Sequence, residues 1–184
     1  TCYSNLLADL DGLARERGRA LLPEVGLDPG IDLVLARLAV SKLDEVHGLD
    51  VFGAGLPEPA CADANPLRYK VSWTFQGVLD AYVRPARLLR DGEVVTVPGD
   101  HIFDPDLMRH EDVPGLGRLE VYPNGDAVSF IDTYGLGDGL RHMGRYSMRW
   151  PGHCALWRSL VQLGLLDDTP AVADGLGPRQ LLAR

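Results

Sequence analysis

No apolar run in this 184-residue chain approaches the roughly 18 residues a helix needs to span a bilayer, so no membrane-spanning helix is expected within it. Cysteine is scarce: Cys2, Cys61 and Cys154 stand far apart, with no CxxC pair and no histidine at a zinc-ligand spacing beside them. A disulfide framework and a structural metal are therefore not expected. Three reduced thiols in a cytoplasmic protein are. Positive charge is also short. Lys and Arg number 18 against 26 Asp and Glu, and a net charge of -8 repels both phosphate backbones and anionic membrane surfaces. Nucleic acid and membrane are thus poor partners. No HExxH and no GxSxG occurs, and no complete GxGxxG. Gly53-Ala-Gly55-Leu-Pro57-Glu58 begins like a phosphate loop but lacks the third glycine. Gly135-Leu-Gly137-Asp-Gly139 follows a predicted helix instead of a strand and reads as a surface turn. Internal repeats and low-complexity tracts are missing as well.

What is present suffices for one domain with a substantial core, since 46% of residues are hydrophobic. Leu6, Leu7, Leu10, Leu13 and Ala14 recur at helical spacing over residues 4–17, with Ser4 or Asn5 as cap and Gly18 as terminator. Residues 20–25 are a short apolar run that predicts a buried strand. Helix then strand is how a doubly wound sheet closes. Thr1 opens inside what reads as a structural element, so a preceding segment is expected. Pro29 suits the first turn of a helix over residues 30–43, with Asp28 as its N-cap. The spacing of Ile31, Val34, Leu35 and Leu38 predicts one buried face on it.

Strands are predicted at residues 46–52, 67–73, 117–122 and 141–150. Asp91-Gly92 predicts a hairpin joining residues 86–89 to 93–97. Short helices are expected at residues 77–83 and 126–134, a longer one at 151–165, and the start of another at 177. Residues 98–116, rich in Asp and Pro, read as an excursion loop. The pattern predicts an α+β domain: a mixed, mostly antiparallel sheet with helices on one face, preceded by the last helix and strand of an α/β domain. Among the five scattered histidines, His153 is singled out, because Pro151-Gly-His153 sits at a strand-to-helix junction.

Several segments, in this order, resemble the saccharopine dehydrogenase family. They are Glu24-Val-Gly-Leu-Asp-Pro-Gly-Ile-Asp32, Gly55-Leu-Pro57, Asn65-Pro-Leu-Arg-Tyr-Lys-Val-Ser-Trp73, Gly77-Val-Leu79 running on to Asp91-Gly92, Tyr122-Pro-Asn-Gly-Asp126, and Met148-Arg-Trp-Pro-Gly152 with Leu163-Gly-Leu-Leu166. The resemblance implies residues 1–25 as the trailing part of a Rossmann domain. It implies residues 26–176 as a substrate-binding and dimerisation domain, and 177–184 as the start of a returning helix. It also implies NAD or NADP, held mainly by a domain outside this chain, a small amino-acid substrate and a homodimer. The implied chemistry is hydride transfer at a CH–NH carbon, the amine becoming an imine that water hydrolyses. The chain alone is expected to be inactive.

The same resemblance implies a substrate site. Tyr3 matches a tyrosine that faces the substrate, with Cys2 in place of the serine before it. Asp28 matches an aspartate that can hold an amino group. Gly53 and Ala54 match a Cys-Gly pair, Ser72 and Trp73 a Ser-Trp pair, and Asn124 lies in the Tyr-Pro-Asn segment. Arg149 matches an arginine that pairs with a substrate carboxylate, a task that suits a bidentate guanidinium. Gly125 departs from the pattern, standing where saccharopine reductases carry a second carboxylate-binding arginine. Val78-Leu-Asp-Ala-Tyr-Val-Arg-Pro85 and Pro151-Gly-His153 are more similar to lysine 6-dehydrogenases. A lysine-type substrate, a carboxynorspermidine-type reductase and a non-catalytic binding or assembly module therefore stay open beside saccharopine.

Overall fold

The computed structural model describes residues 7–137, 139–167, 177, 178 and 180. The chain divides into two compact units, Thr1–Val46 with Ile131–Gly139, and His47–Phe130 with Leu140–Arg184. The helices are α1 (Asp11–Glu16), α2 (Ile31–Val40), α3 (Phe75–Ala81), α4 (Ile131–Tyr134) and α5 (His153–Gln162). The strands are β1 (Gly48–Ala54), β2 (Ala86–Arg90), β3 (Glu93–Val97), β4 (Arg109–Val113), β5 (Gly117–Pro123) and β6 (His142–Arg149).

In the first unit a 3-10 turn over Ala8–Leu10 leads into α1. The helix ends near Gly18, where Arg19 N–H returns to Ala14 O. Residues 20–25 are not the predicted strand. Pro23 has no N–H to give a ladder and Glu24 turns to φ 58°, so the chain reaches the isolated bridge at Gly26 without forming a strand. Asp28 does not cap α2. Gly30 holds the N-cap position at φ 148°, its N–H donating to Asp32 Oδ1 at 2.7 Å, so the helix starts one residue later than predicted. A Cβ on Gly30 would collide with the backbone of Gly26, which fixes glycine there. Arg37 of α2 donates to Tyr134 O and so fastens α2 to α4. The apolar stripe of α2 is not buried: Ile31, Val34, Leu35 and Leu38 are 54% to 69% exposed, and only Ala36 is buried.

The second unit is built on one six-stranded sheet in the order β3-β2-β6-β5-β4, with β1 also paired to β6. Among the described strand pairs only β1–β6 is parallel, running from Gly48↔His142 to Ala54↔Met148. β2 meets β6 at Met143, and β5 meets it from Tyr146 to Arg149. The sheet is therefore mixed and mostly antiparallel, as the sequence predicts. The hairpin β2–β3 turns at Asp91 and Gly92, both at positive φ (52° and 85°), the geometry of a tight primed turn.

Two expectations fail here. Residues 67–73 form no ladder: Arg68 sits at φ 49°, the Leu67 carbonyl accepts from the His153 ring, and Arg68 itself reaches Asp63 and Pro151 O. Side chains thus take the contacts a partner strand would take. Residues 98–116 are not one loop, since they contain a 3-10 turn at Gly99–His101 and strand β4. The core gathers Leu79, Tyr82, Leu88, Val121, Tyr122, Cys154 and Trp157.

Candidate functional site

The site is assembled at the ends of the parallel pair. β1 and β6 run the same way, so Gly53 and Ala54 end β1 beside Ser147 and Met148, one residue before Arg149. The carboxyl ends of parallel strands are where open α/β sheets place ligands. After Arg149 the chain turns through Trp150-Pro151-Gly152, with Gly152 at φ 96°, and enters α5. Glu120, cross-strand partner of Arg149, spends both carboxylate oxygens on that helix. It accepts Gly152 N–H at 2.8 Å and Cys154 N–H at 2.9 Å. Trp150 Nε1–H donates to Pro57 O at 3.0 Å and pins the Gly55-Leu-Pro57 loop over the strand ends.

Arg149 is only 8% exposed. Its guanidinium lies over the Tyr69 ring, 4.5 Å from the centroid, and donates to Met148 O at 2.9 Å. Its Nε is buried without a hydrogen-bond partner among the described residues. Nor does any carboxylate among them pair with it, because the adjacent one, Glu120, is committed to α5. Burial opposes its charge, but Tyr122, Tyr82 and Tyr69 outweigh this and hold it above the ordinary arginine range. Gly55 makes room: a Cβ there would stand 3.2 Å from the Tyr69 ring and 3.8 Å from the guanidinium.

Behind Arg149 lies a buried polar cluster. The Tyr82 hydroxyl and His153 Nε2 are 2.8 Å apart, and His153 Nδ1 lies 2.8 Å from Leu67 O. Burial, with the Arg149 charge added, pushes the His153 pKa down to about 3, so the ring is neutral. Burial raises the Tyr82 and Tyr122 hydroxyls and the Cys154 thiol well above their ordinary ranges, so none is a ready nucleophile.

The predicted residues therefore separate. Gly53, Ala54 and Arg149 meet at the strand ends. Trp73, 58% exposed, joins them through Nε1–H to the Tyr69 hydroxyl at 3.2 Å, and exposed Ser72 precedes it. Asn124 is elsewhere. Its N–H donates to Arg145 O and its side chain accepts from Arg84, which places it four residues up β6, about 13 Å from Arg149 at roughly 3.3 Å per residue. Gly125 is buried beside β2, its carbonyl accepting Arg87 N–H at 3.0 Å. Asp28 belongs to the first unit, where it is exposed. Tyr3 and Cys2 lie outside the described residues. Sequence reasoning did not single out Tyr69, Tyr82, Tyr122 or Glu120. The signal for Glu120 and Tyr122 was a charged and an aromatic residue, two apart, on one face of a strand.

A cleft of about 530 Å³ opens nearby, lined by residues 63–66, Arg68 and 151–152. None of the predicted residues lines it, and its cation, Arg68, is already used by Asp63 and Pro151 O. Nor do the described residues fit a dinucleotide. The single parallel pair has no helix starting directly after β1, and the loop there carries Pro57 in place of a phosphate-binding turn. No helix among them is long and apolar enough to cross a membrane.

Comparison with known proteins agrees with this geometry. The family model described as saccharopine dehydrogenase C-terminal domain matches residues 26–184. The bovine mitochondrial alpha-aminoadipic semialdehyde synthase is 35% identical over 178 residues, 94% of this chain and 19% of that protein. The NADP(+), L-glutamate-forming saccharopine dehydrogenase of Saccharomyces cerevisiae is 34% identical over 176 residues, 90% of this chain and 37% of that one. The solved apo structure of the yeast L-Glu-forming saccharopine dehydrogenase superposes with a TM-score of 0.75 at 28% identity, over 92% of this chain and 38% of that chain. The chain thus spans well under half the length of these relatives, and it belongs to the saccharopine dehydrogenase family, matching its C-terminal domain.

Proposed function

We propose that this chain is the substrate-side portion of an NAD(P)-dependent dehydrogenase that acts at the CH–NH carbon of an amino acid. The observation that carries the reading is Arg149: a buried guanidinium without a carboxylate partner among the described residues, at the ends of two parallel strands. Leaving a buried charge unpaired is costly, so an anion from outside the chain is the fitting counter-charge. A carboxylate accepts two parallel N–H bonds from a guanidinium, which orients the substrate as well as holding it. In this reading residues 26–176 bind substrate and form a homodimer, residues 1–25 trail from a dinucleotide-binding domain, and NAD or NADP is held mainly outside the chain. Gly53, Ala54, Ser72 and Trp73 border the ligand.

A second reading, lysine 6-dehydrogenase or a carboxynorspermidine-type reductase, is favoured by Gly125. Glycine there supplies no cation, and Arg84 and Arg87 on either side are engaged by Asn124 and Asp126. A substrate with one carboxylate fewer suits that arrangement. The test offers saccharopine, lysine and carboxynorspermidine separately to the full-length protein while NAD(P)H absorbance is followed. Turnover of saccharopine supports the first reading. Turnover of lysine or carboxynorspermidine alone supports the second. NAD(P)H binding without turnover of any of the three leaves an amine outside this set or a non-catalytic module.

A further inference from the structure

The chain of hydrogen bonds behind Arg149 has only one direction. Leu67 O is a carbonyl and can only accept, so His153 Nδ1 carries the proton. The neutral ring then presents a lone pair at Nε2, and the Tyr82 hydroxyl must donate to it. With its one proton committed, the Tyr82 oxygen turns its lone pairs the other way. On that side stand Tyr122 and the Arg149 guanidinium, whose positive charge attracts the oxygen's lone pairs.

Packing alone does not need this arrangement. Tyr82 and His153 sit among Phe103, Tyr122 and Trp157, with Tyr82 and Trp157 centroids 4.5 Å apart. An apolar pair would fill that space without burying a hydroxyl and an imidazole. Arg149 for its part is under-determined by its own strand. One N–H reaches Met148 O, the ring of Tyr69 supports the plane, and Nε has no partner among the described residues. Tyr82 supplies the missing constraint.

We propose that Tyr82 and His153 are positioning residues, a relay from the Leu67 carbonyl that aims the Arg149 guanidinium at the substrate carboxylate. This rests on the reading of Arg149 as the carboxylate anchor. The experiment separates the two. Full-length wild type, Arg149→Met, Tyr82→Phe, His153→Phe and His153→Gln are titrated calorimetrically with L-saccharopine and L-lysine, and with NAD(P)H as control. The tighter of the two amino acids is the probe.

Arg149→Met is expected to weaken the probe by about a hundredfold. Tyr82→Phe and His153→Phe are each expected to weaken it by about threefold to tenfold. NAD(P)H affinity stays unchanged in all of them. His153→Gln, whose amide can both donate to Leu67 O and accept from Tyr82, restores part of the loss, which a merely space-filling role would not predict. Should Tyr82→Phe fail to fold, the two His153 variants carry the comparison. If neither amino acid binds wild type, or Arg149→Met binds like wild type, the anchor reading falls and the relay with it. If Arg149→Met weakens binding while the soluble relay variants bind like wild type, the relay alone is overturned.

Discussion

At the scale of single residues, burial decides what each side chain can do. His153 could be singled out in the sequence by its place at a junction, but not its neutrality, which needs the contacts with Leu67 O and Tyr82. Its pKa is pushed from 6.5 to about 3, first by burial. Below pH about 6.5 the unfolded chain takes a proton there and the folded chain does not. The neutral ring's contribution to stability is therefore complete above that pH and is lost as pH falls toward 3, at up to about 1.4 kcal/mol per unit. Urea unfolding of the full-length protein between pH 7 and 4 checks this. Wild type should lose stability more steeply than His153→Gln, and equal slopes would count against a buried neutral histidine. Arg149 was legible from a motif. Its lack of a carboxylate was not, because that depends on where Glu120 points, and Glu120 is fixed by a helix 32 residues further on.

At the scale of elements, local chemistry predicted the hairpin and the longer segments, and tertiary contacts decided the rest. Asp91-Gly92 names its own turn, and β5, β6 and α5 carry clear apolar patterns. β4 was hidden because Arg-His-Glu-Asp-Val has no apolar alternation; paired to β5 alone, it needs none. Residues 67–73 look like a strand, yet the carbonyls of Leu67 and Tyr69 accept from the side chains of His153 and Asn65. α2 has the stripe of a packed helix and shows it to solvent. The start of α5 is held by a feature no local pattern announces, the Glu120 carboxylate across two backbone N–H groups. Glu120→Ala should cost about 3 kcal/mol in urea unfolding, since it leaves both donors unsatisfied. A loss under about 0.5 kcal/mol would show that the helix needs no such cap.

At the scale of the whole molecule, the family was legible from the order of short segments, and the sheet of the second unit matches it. Tyr82 and His153 lie in the two segments more similar to lysine 6-dehydrogenases, and they meet in one hydrogen bond, which no linear reading could show. The homodimer rests on the resemblance. Sedimentation equilibrium of the full-length protein at micromolar concentration should return twice the chain mass, and a monomer would contradict it. The most direct test of the central claim compares wild type with Arg149→Met, both full-length, by NAD(P)H absorbance with the amino acid that wild type turns over. In Arg149→Met, kcat/KM is expected to fall by about a hundredfold or more while NAD(P)H binding is kept. An unchanged kcat/KM would mean that the buried guanidinium does not hold the substrate.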